Sequence, residues 1–190
     1  LRLPVGELET KLTQINTKLL AVRKQRPALL KDDKVLVGWN GLAIQAFAEA
    51  GQTFQRRDYT DAAERAANFI LQKVRSSDGL LLHVSRGGEA KVPAYLEDYA
   101  ALVGGLLALH HSTEDERWLK ESVRLTEEMI EQCVDERGGF FLTSKRHEEL
   151  LARPKNAYDS VIPSGNSLAV RNLVRLAKLT GNTRYRDGAK

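Results

Sequence analysis

The sequence predicts an all-α protein built from repeated helical hairpins, and three observations lead to this fold class. Three segments share one plan, in which a mostly apolar helix, a short polar link, an aromatic residue and an amphipathic helix follow one another. In each copy the aromatic residue lies 19 positions after the start of the first helix. The pairs are Asn40 and Tyr59, Tyr99 and Trp118, and Asn166 and Tyr185. Three matches in register indicate an internal repeat, and the two helices of each unit differ in their apolar pattern.

The first element is an amphipathic helix in front of the repeats. Apolar residues recur in it at helical spacing, at Leu8, Leu12, Ile15, Leu19 and Val22. Arg26-Pro27 ends this helix, because proline lacks an amide hydrogen and restricts the residue before it.

Three inner helices are predicted over residues 38–50, 98–111 and 165–179. The first two are apolar nearly all round, which predicts burial on every side. The third carries Arg171, Arg175 and Lys178 along one stripe. We therefore expect the third helix to line solvent, or a face that another part of the protein covers.

The outer helices continue from Tyr59, Trp118 and Tyr185, and they are predicted to be solvated on one side. The second of them shows this most clearly, because its apolar residues step by three and four positions. These residues are Leu119, Val123, Thr126, Ile130 and Cys133. Cys133 is thus predicted to be an ordinary core thiol, and a single cysteine forms neither an internal disulfide nor a four-cysteine zinc site.

Short extended segments are inserted between the hairpins. Residues 80–86, Gly87-Gly88 and residues 89–92 predict a β-hairpin on a two-glycine turn. Residues 139–143, with the sequence Gly-Phe-Phe-Leu-Thr, occupy the corresponding place in the second unit.

Composition excludes several classes of protein. The chain has 190 residues, 42% of them apolar, with 14 glycines and one cysteine, which is typical of a globular protein of about one domain. No apolar run approaches the ~18 residues that span a bilayer, so no membrane association is expected. The net charge of +4 lies entirely within residues 1–37, and no nucleic-acid recognition motif accompanies it. We therefore expect no nucleic-acid partner.

No cofactor or metal is predicted either. His110 and His111 fall at the end of an inner helix, and His83 and His147 lie in the inserted segments without ligand spacing around them. Gly104-Gly105 is interpreted as a close helix contact, because neither a preceding strand nor a P-loop lysine accompanies it.

The chain is expected to be a piece of a longer protein. It begins with Leu1 rather than methionine and stops at Lys190, just after a helix start. We treat residues 1–190 as a single partial domain. Its location is predicted to be cytoplasmic, although a targeting signal would lie upstream of Leu1.

Alternating inner and outer helices in antiparallel hairpins describe an α/α toroid, in which six hairpins close a ring. Local motifs occur in order along the chain: Arg26-Pro27, Asp32-Asp33-Lys34, Trp39-Asn40-Gly41, Leu96-Glu97-Asp98-Tyr99-Ala100, Gly138-Gly139-Phe140-Phe141, and Asp159 followed by Pro163-Ser164-Gly165-Asn166-Ser167. Their succession resembles the family that joins a thioredoxin-like domain to a C-terminal six-hairpin glycosidase-like domain, which includes the spermatogenesis-associated thioredoxin-like proteins and bacterial homologues.

The resemblance implies that this chain is about half of such a ring and that a thioredoxin-like domain and further hairpins are its missing partners. Because half a ring leaves apolar helix faces uncovered, the isolated chain is expected to self-associate. The fold is shared with glycoside hydrolases and N-acylglucosamine 2-epimerases, so a carbohydrate or polyol ligand is a hypothesis by fold analogy.

The candidate site residues lie where the inner helices begin, because loops at that end of a toroid converge on a cavity. Paired carboxylates are needed for sugar hydrolysis, and Asp98 and Asp159 are the predicted catalytic pair with Glu97 as the reserve. The predicted substrate-binding residues are Trp39, Asn40, Tyr99, Ser164 and Asn166. The aromatic rings would stack on a sugar, and the polar groups would bind its hydroxyls.

Each of these residues also has a purely structural interpretation. Asp, Asn and Ser are preferred helix caps, and the aromatic residues suit a core. Two functions therefore stay open: a carbohydrate-active domain of hydrolase or epimerase type, and a non-catalytic binding or scaffold module that serves a thioredoxin-like domain.

Overall fold

A computed structural model describes residues 3–148 and 151–189 of the protein. These residues contain seven helices and three short strands, and over half of them are helical, as predicted. The elements are α1 (Val5–Lys24), β1 (Val35–Leu36), α2 (Val37–Thr53), α3 (Arg57–Lys73), β2 (Leu82–Arg86), β3 (Glu89–Pro93), α4 (Leu96–Thr113), α5 (Glu116–Cys133), α6 (Gly165–Thr180) and α7 (Thr183–Asp187). None of the described helices is long and apolar enough to cross a membrane.

The chain divides into two compact units, Leu1–Asp33 and Lys34–Lys190. The first contains α1, the predicted amphipathic helix, in which no residue is buried. Three threonines of α1 donate their hydroxyls to the carbonyl four residues earlier, which satisfies them within the helix. The expectation of one domain over residues 1–190 stays a prediction.

The second unit contains the three predicted hairpins, α2/α3, α4/α5 and α6/α7. Helix α4 packs against α2, α5 and α6, and its residues from Asp98 to Leu109 are all buried. The outer helix α5 buries one side only, including Leu125, Met129 and Cys133. The division into a buried inner helix and a one-sided outer helix is confirmed for α4 and α5. The expected burial on every side is wrong for α2, which packs mainly against α3 and α4 and leaves Ala43 and Phe47 exposed. Burial raises the pKa of the Cys133 thiol to about 12.

Glycines allow α2 and α4 to approach backbone to backbone. A Cβ atom on Gly41 would lie 2.5 Å from the amide nitrogen of Leu102, and one on Gly105 would lie 2.7 Å from the carbonyl oxygen of Gly41. A Cβ on Gly104 would meet only side-chain ends, the nearest at 3.2 Å. Gly105 thus permits the close helix contact that the sequence context of the glycine pair predicts, whereas Gly104 faces only side chains.

The predicted β-hairpin is present as β2 and β3, joined by Gly87 and Gly88 with φ values of 59° and 85°. The pairing is antiparallel, with Val84 opposite Lys91, and β1 adds a third strand along β2. The corresponding segment of the second hairpin repeat, residues 139–143, differs from this β-hairpin. It forms only one isolated bridge, between Val134 and Phe140.

The three inner helices begin at the same end of the second unit. The backbone amide of Gly38 in α2 donates to Asp98 of α4 at 2.8 Å. A Cβ atom on Gly165 of α6 would lie 2.9 Å from Leu96 Cγ of α4. Asn40, Tyr99 and Asn166 are accordingly within the first four residues of their helices, as the repeat register predicts.

Candidate functional site

A cleft of about 200 Å³ lies where α2 and α4 begin. Its polar side chains are those of His83, Glu97 and Asp98, and the ring of Trp39 lies beside them. The remaining wall is mostly apolar and includes Ile162 and Pro163, from the segment that leads into α6. Several elements of the chain, among them α2, β2 and α4, therefore contribute to one concave surface, which is the usual form of a small-molecule site.

Asp98 joins three of these elements. Its side chain is 1% exposed, and its Oδ1 atom accepts the amide hydrogen of Gly38 at 2.8 Å. Its Oδ2 atom accepts the amide of Tyr95 at 2.9 Å and lies 2.8 Å from His83 Nδ1. A buried carboxylate is costly without partners, so these contacts hold its position at the helix start.

His83, on β2, is the histidine partner of Asp98, and the sequence did not predict it as a site residue. Its hydrogen bond to Asp98 raises the pKa of the imidazole above the ordinary value, and this effect exceeds the opposing one of burial. The side chain is 24% exposed and lines the cleft. The ring also packs edge-on against Tyr95, with 5.1 Å between centroids.

Glu97 precedes Asp98 on α4 and is half-buried at the cleft. Burial raises the pKa of its carboxyl above the ordinary range, and the charge of Asp98 adds to the shift. Glu97 thus has a greater tendency to hold a proton than an exposed glutamate, which is the property that a general acid needs.

Trp39 is the aromatic residue of the cleft. It lies in the first turn of α2, yet its side chain is 66% exposed. A large ring exposed at the edge of a cleft offers a flat apolar surface, and sugar rings have apolar faces of similar size. The exposure argues against Trp39 being an ordinary core aromatic.

Two other predicted binding residues are occupied by structural contacts. Tyr99 is buried, and its hydroxyl donates to Glu128 of α5 at 2.8 Å. Asn40 donates its side-chain amide to the carbonyl of Leu36, one turn earlier. Neither side chain is among those that line the cleft.

The entrance of α6 holds the remaining predicted residues, and their contacts are mostly local. Ser164 caps α6 by accepting the amide of Ser167, and Asp159 accepts the amide of Ser164 at 2.8 Å. Asp159 is exposed, and these hydrogen bonds lower the pKa of its carboxyl. Asn166 accepts the amide of Phe140 and donates to its carbonyl. None of the three side chains lines the cleft.

Sequence reasoning missed His83, Ile162 and Pro163. A weak signal for His83 was its place on a predicted strand between two hairpins, but only the three-dimensional pairing with Asp98 gives that place a meaning. No group of three histidine, cysteine or acidic side chains that could hold a metal ion occurs among the residues that the structure describes.

No family model matches the chain, but individual proteins do. It is 33% identical to spermatogenesis-associated protein 20 of Rattus norvegicus over 195 residues, covering 95% of the chain and 25% of that protein. The human protein of the same name is 31% identical over 97% of the chain, again with 25% of its length covered. The chain thus spans about a quarter of the length of these relatives.

Solved structures with low identity show the same fold. A GH76 α-mannanase of Bacteroides thetaiotaomicron has a TM-score of 0.69 at 16% identity, over 86% of this chain and 44% of that one. A cellobiose 2-epimerase of Bacillus thermoamylovorans has a TM-score of 0.67 at 14% identity, over 84% and 43%. An inactive variant of the α-1,6-mannanase of Salegentibacter sp., in complex with α-1,6-mannotriose, has a TM-score of 0.65 at 14% identity, over 95% and 52%.

The class of protein is therefore an α/α toroid, of which this chain forms about half a ring. The family resemblance drawn from the motifs is confirmed as well. The chain is a relative of the spermatogenesis-associated, thioredoxin-like proteins and matches one segment of them.

Proposed function

We propose that the cleft at the start of α2 and α4 binds a carbohydrate or similar polyol and that the domain acts on it as a hydrolase or epimerase. One observation carries the proposal. The cleft combines the exposed ring of Trp39 with Glu97, whose pKa is raised, and with the buried pair of Asp98 and His83. Stacking, proton donation and proton acceptance are thus available around one small volume.

The structural neighbours support this proposal by analogy. They include an α-mannanase and a cellobiose 2-epimerase, so this fold accommodates sugars in other proteins. The inactive mannanase variant carries asparagine in place of two consecutive aspartates. Glu97 and Asp98 are also consecutive carboxylates, and they line the cleft here.

The predicted pair of Asp98 and Asp159 has a further requirement. A two-carboxylate mechanism needs carboxyl groups within roughly 10 Å of each other. The pKa of Asp159 is lowered, which suits the ionised partner, whereas the raised pKa of Glu97 suits the protonated one. The raised pKa of Glu97, together with the three donors that surround Asp98, favours the reserve residue Glu97 as the acid.

The scaffold function is the second candidate, and the hydrogen bonding of the carboxylates favours it. Asp98 accepts two backbone amides, and Asp159 accepts the amide of Ser164. Carboxylates used in this way stabilise helix starts without any chemistry. A non-catalytic module would retain these contacts and bind no sugar.

Binding of α-1,6-mannotriose and a panel of aryl glycosides and N-acyl sugars separates the two functions. Trp39→Ala is expected to weaken sugar binding about tenfold, a loss of about 1.4 kcal/mol. Phe54→Ala is the matched control, because Phe54 is 68% exposed and lies outside the cleft. Equal binding by both variants, or no binding by the unchanged protein, would support the scaffold instead.

We further propose that the chain alone is catalytically silent and self-associates. Apolar side chains on α6 remain exposed, among them Val170, Val174 and Leu179. The longer relatives suggest that further hairpins and a thioredoxin-like domain complete the protein. Sedimentation of the chain tests association, and paired assays with the longer protein test silence. A cytoplasmic location stays a prediction, which cell fractionation tests.

A further inference from the structure

The hydrogen bonds of Asp98 determine which nitrogen of His83 is available. His83 Nδ1 lies 2.8 Å from Asp98 Oδ2, so a neutral ring placed against a carboxylate carries its hydrogen on Nδ1. The lone pair then resides on Nε2. This atom has no hydrogen-bond partner within residues 3–148 and 151–189, and it is not among the buried unsatisfied atoms. The ring therefore offers a basic nitrogen at the cleft, which His83 lines.

Asp98 itself is poorly suited to exchange protons with a substrate. Its side chain is 1% exposed, and three donors surround its two oxygens. If the Asp98 carboxylate moved away from these donors, the backbone amides of Gly38 and Tyr95 would lose their acceptor. Its contacts instead fix the orientation of His83, the function of the buried carboxylate in many histidine-dependent sites.

Glu97 is the other titratable group on the cleft wall. It is adjacent to Asp98 and half-buried, and it makes no ion pair within the described residues. The charged groups around His83 are therefore Glu97 and Asp98 of α4, with His147 across the ring of Tyr95. A carboxyl group and an imidazole thus line one cleft, and the buried carboxylate of Asp98 holds the imidazole in place.

We propose that His83 is the general base of the cleft, that Glu97 is its general acid, and that Asp98 is a positioning residue. This inference rests on the proposed carbohydrate function and names its proton-transfer groups. The imidazole of His83 and the carboxyl group of Glu97 then take the roles that sequence analysis assigned to Asp98 and Asp159. The substrate class is a sugar that reacts at or beside its anomeric carbon.

The proposed reaction moves two protons between the site and the sugar. Nε2 of His83 takes one proton from the reacting group, and the resulting imidazolium stays bonded to Asp98. Glu97 gives one proton to a sugar oxygen and becomes a carboxylate, so the net charge of the site does not change. If the reacting group is water, the water oxygen bonds to the anomeric carbon, the glycosidic bond breaks and Glu97 protonates the leaving oxygen.

The second reaction is epimerisation at C2 of an open-chain aldose. His83 takes the C2 proton, the electron pair of the C2–H bond forms the C1–C2 double bond, and Glu97 protonates O1. The imidazolium then returns its proton to the opposite face of C2 after rotation about the C2–C3 bond, while O1 returns its proton to Glu97 and the C1 carbonyl re-forms. Two assays distinguish the two reactions. Hydrolysis releases sugar from aryl glycosides, whereas the second reaction incorporates deuterium from D₂O into a free aldose.

The first test is nuclear magnetic resonance of the imidazole groups in this chain. Neutral His83 is expected as the Nδ1–H tautomer, and its pKa is expected to fall in Asp98→Asn. His147→Gln is the matched control, because His147 also packs on Tyr95 but does not line the cleft. An Nε2–H tautomer, or a pKa unchanged by Asp98→Asn, would overturn the positioning role.

The second test is turnover by the longer protein. His83→Gln is expected to lower kcat at least 100-fold with KM within threefold, and to remove the rise of kcat/KM with pH that deprotonation of His83 produces. Full turnover with an unchanged pH profile in His83→Gln overturns this inference and leaves the carbohydrate function intact. Absence of sugar binding in the unchanged protein overturns both.

Discussion

Helix α4 contacts its two inner neighbours in different ways. Against α2 the backbones touch, through Gly41 and Gly105, and the amide of Gly38 bonds to Asp98. Against α6 the contacts are made by side chains, including Leu96 beside Gly165 and the Asn172 amide on the carbonyl of Ala100 at 2.7 Å. Side chains adjust to a substitution more easily than backbone does, so we expect the α2–α4 contact to be the more rigid.

Asp98 and Asp159 differ in a similar way, in how closely other elements surround them. Asp98 is buried and joins α2, β2 and α4, whereas Asp159 is exposed and bonds to a serine five residues away. Both precede or open an inner helix, and both were predicted as catalytic. Position at a helix start therefore does not determine the role of a carboxylate. The role depends on how many neighbouring elements surround that start.

The largest expected effect is that of Gly41→Ala. A Cβ at 2.5 Å from the backbone of Leu102 forces α2 and α4 apart, which should cost more than about 3 kcal/mol of unfolding free energy. Gly104→Ala is the control, because its new atom meets only the side-chain ends of Arg171, Gln45 and Asn172. Chemical denaturation measures both, and equal losses would contradict the backbone contact.

Asp98→Ala is expected to cost about 2–3 kcal/mol, because it leaves the amides of Gly38 and Tyr95 without acceptors in the interior. The same measurement on Asp159→Ala should show a much smaller loss, because this exposed carboxylate accepts one local amide and is screened by water. Similar losses for the two variants would mean that the aspartates do not differ as described.

Asn172→Ala tests the α4–α6 contact and is expected to cost about 1 kcal/mol, the value of one hydrogen bond. Thr180→Ala is a control on the same helix, because its hydroxyl bonds to Leu176 and Asn182 and, within the described residues, to no group of α4. A loss above about 3 kcal/mol in Asn172→Ala would show that the α6 contact is as rigid as that of α2.

The smallest expected effect is a pH dependence of stability. The raised pKa of His83 stabilises the fold below about pH 6.5, and this contribution is lost as pH rises through the raised value. Glu97 acts in the same direction from about pH 4.5 upwards, since its folded carboxyl favours the proton. His83→Gln should flatten the upper part of this decline in thermal melts, and an unchanged slope would show that the pair with Asp98 does not form.

Much of the fold was predictable from the sequence, because burial on one or all sides leaves a periodic trace along a helix. The 19-residue register located the starts of α2, α4 and α6, and the two-glycine turn located the β2–β3 hairpin. The site was only partly predictable. Trp39, Glu97 and Asp98 were placed at the helix starts, and all three line the cleft.

His83 was not predicted as a site residue, because its partner Asp98 lies 15 residues away on another element. Neither local spacing nor periodicity encodes such a pair. The prediction that Tyr99 binds substrate rests on its local position alone. The register places it at the start of α4, but the sequence does not show that its hydroxyl reaches Glu128, 29 residues later on α5.

The most direct test of the central claim is a crystal structure of the longer protein with α-1,6-mannotriose soaked in. We expect a sugar ring against the indole of Trp39, with hydroxyl groups within hydrogen-bond distance of Glu97 and of His83 Nε2. A sugar bound at another surface, or an empty cleft at saturating sugar, would contradict it.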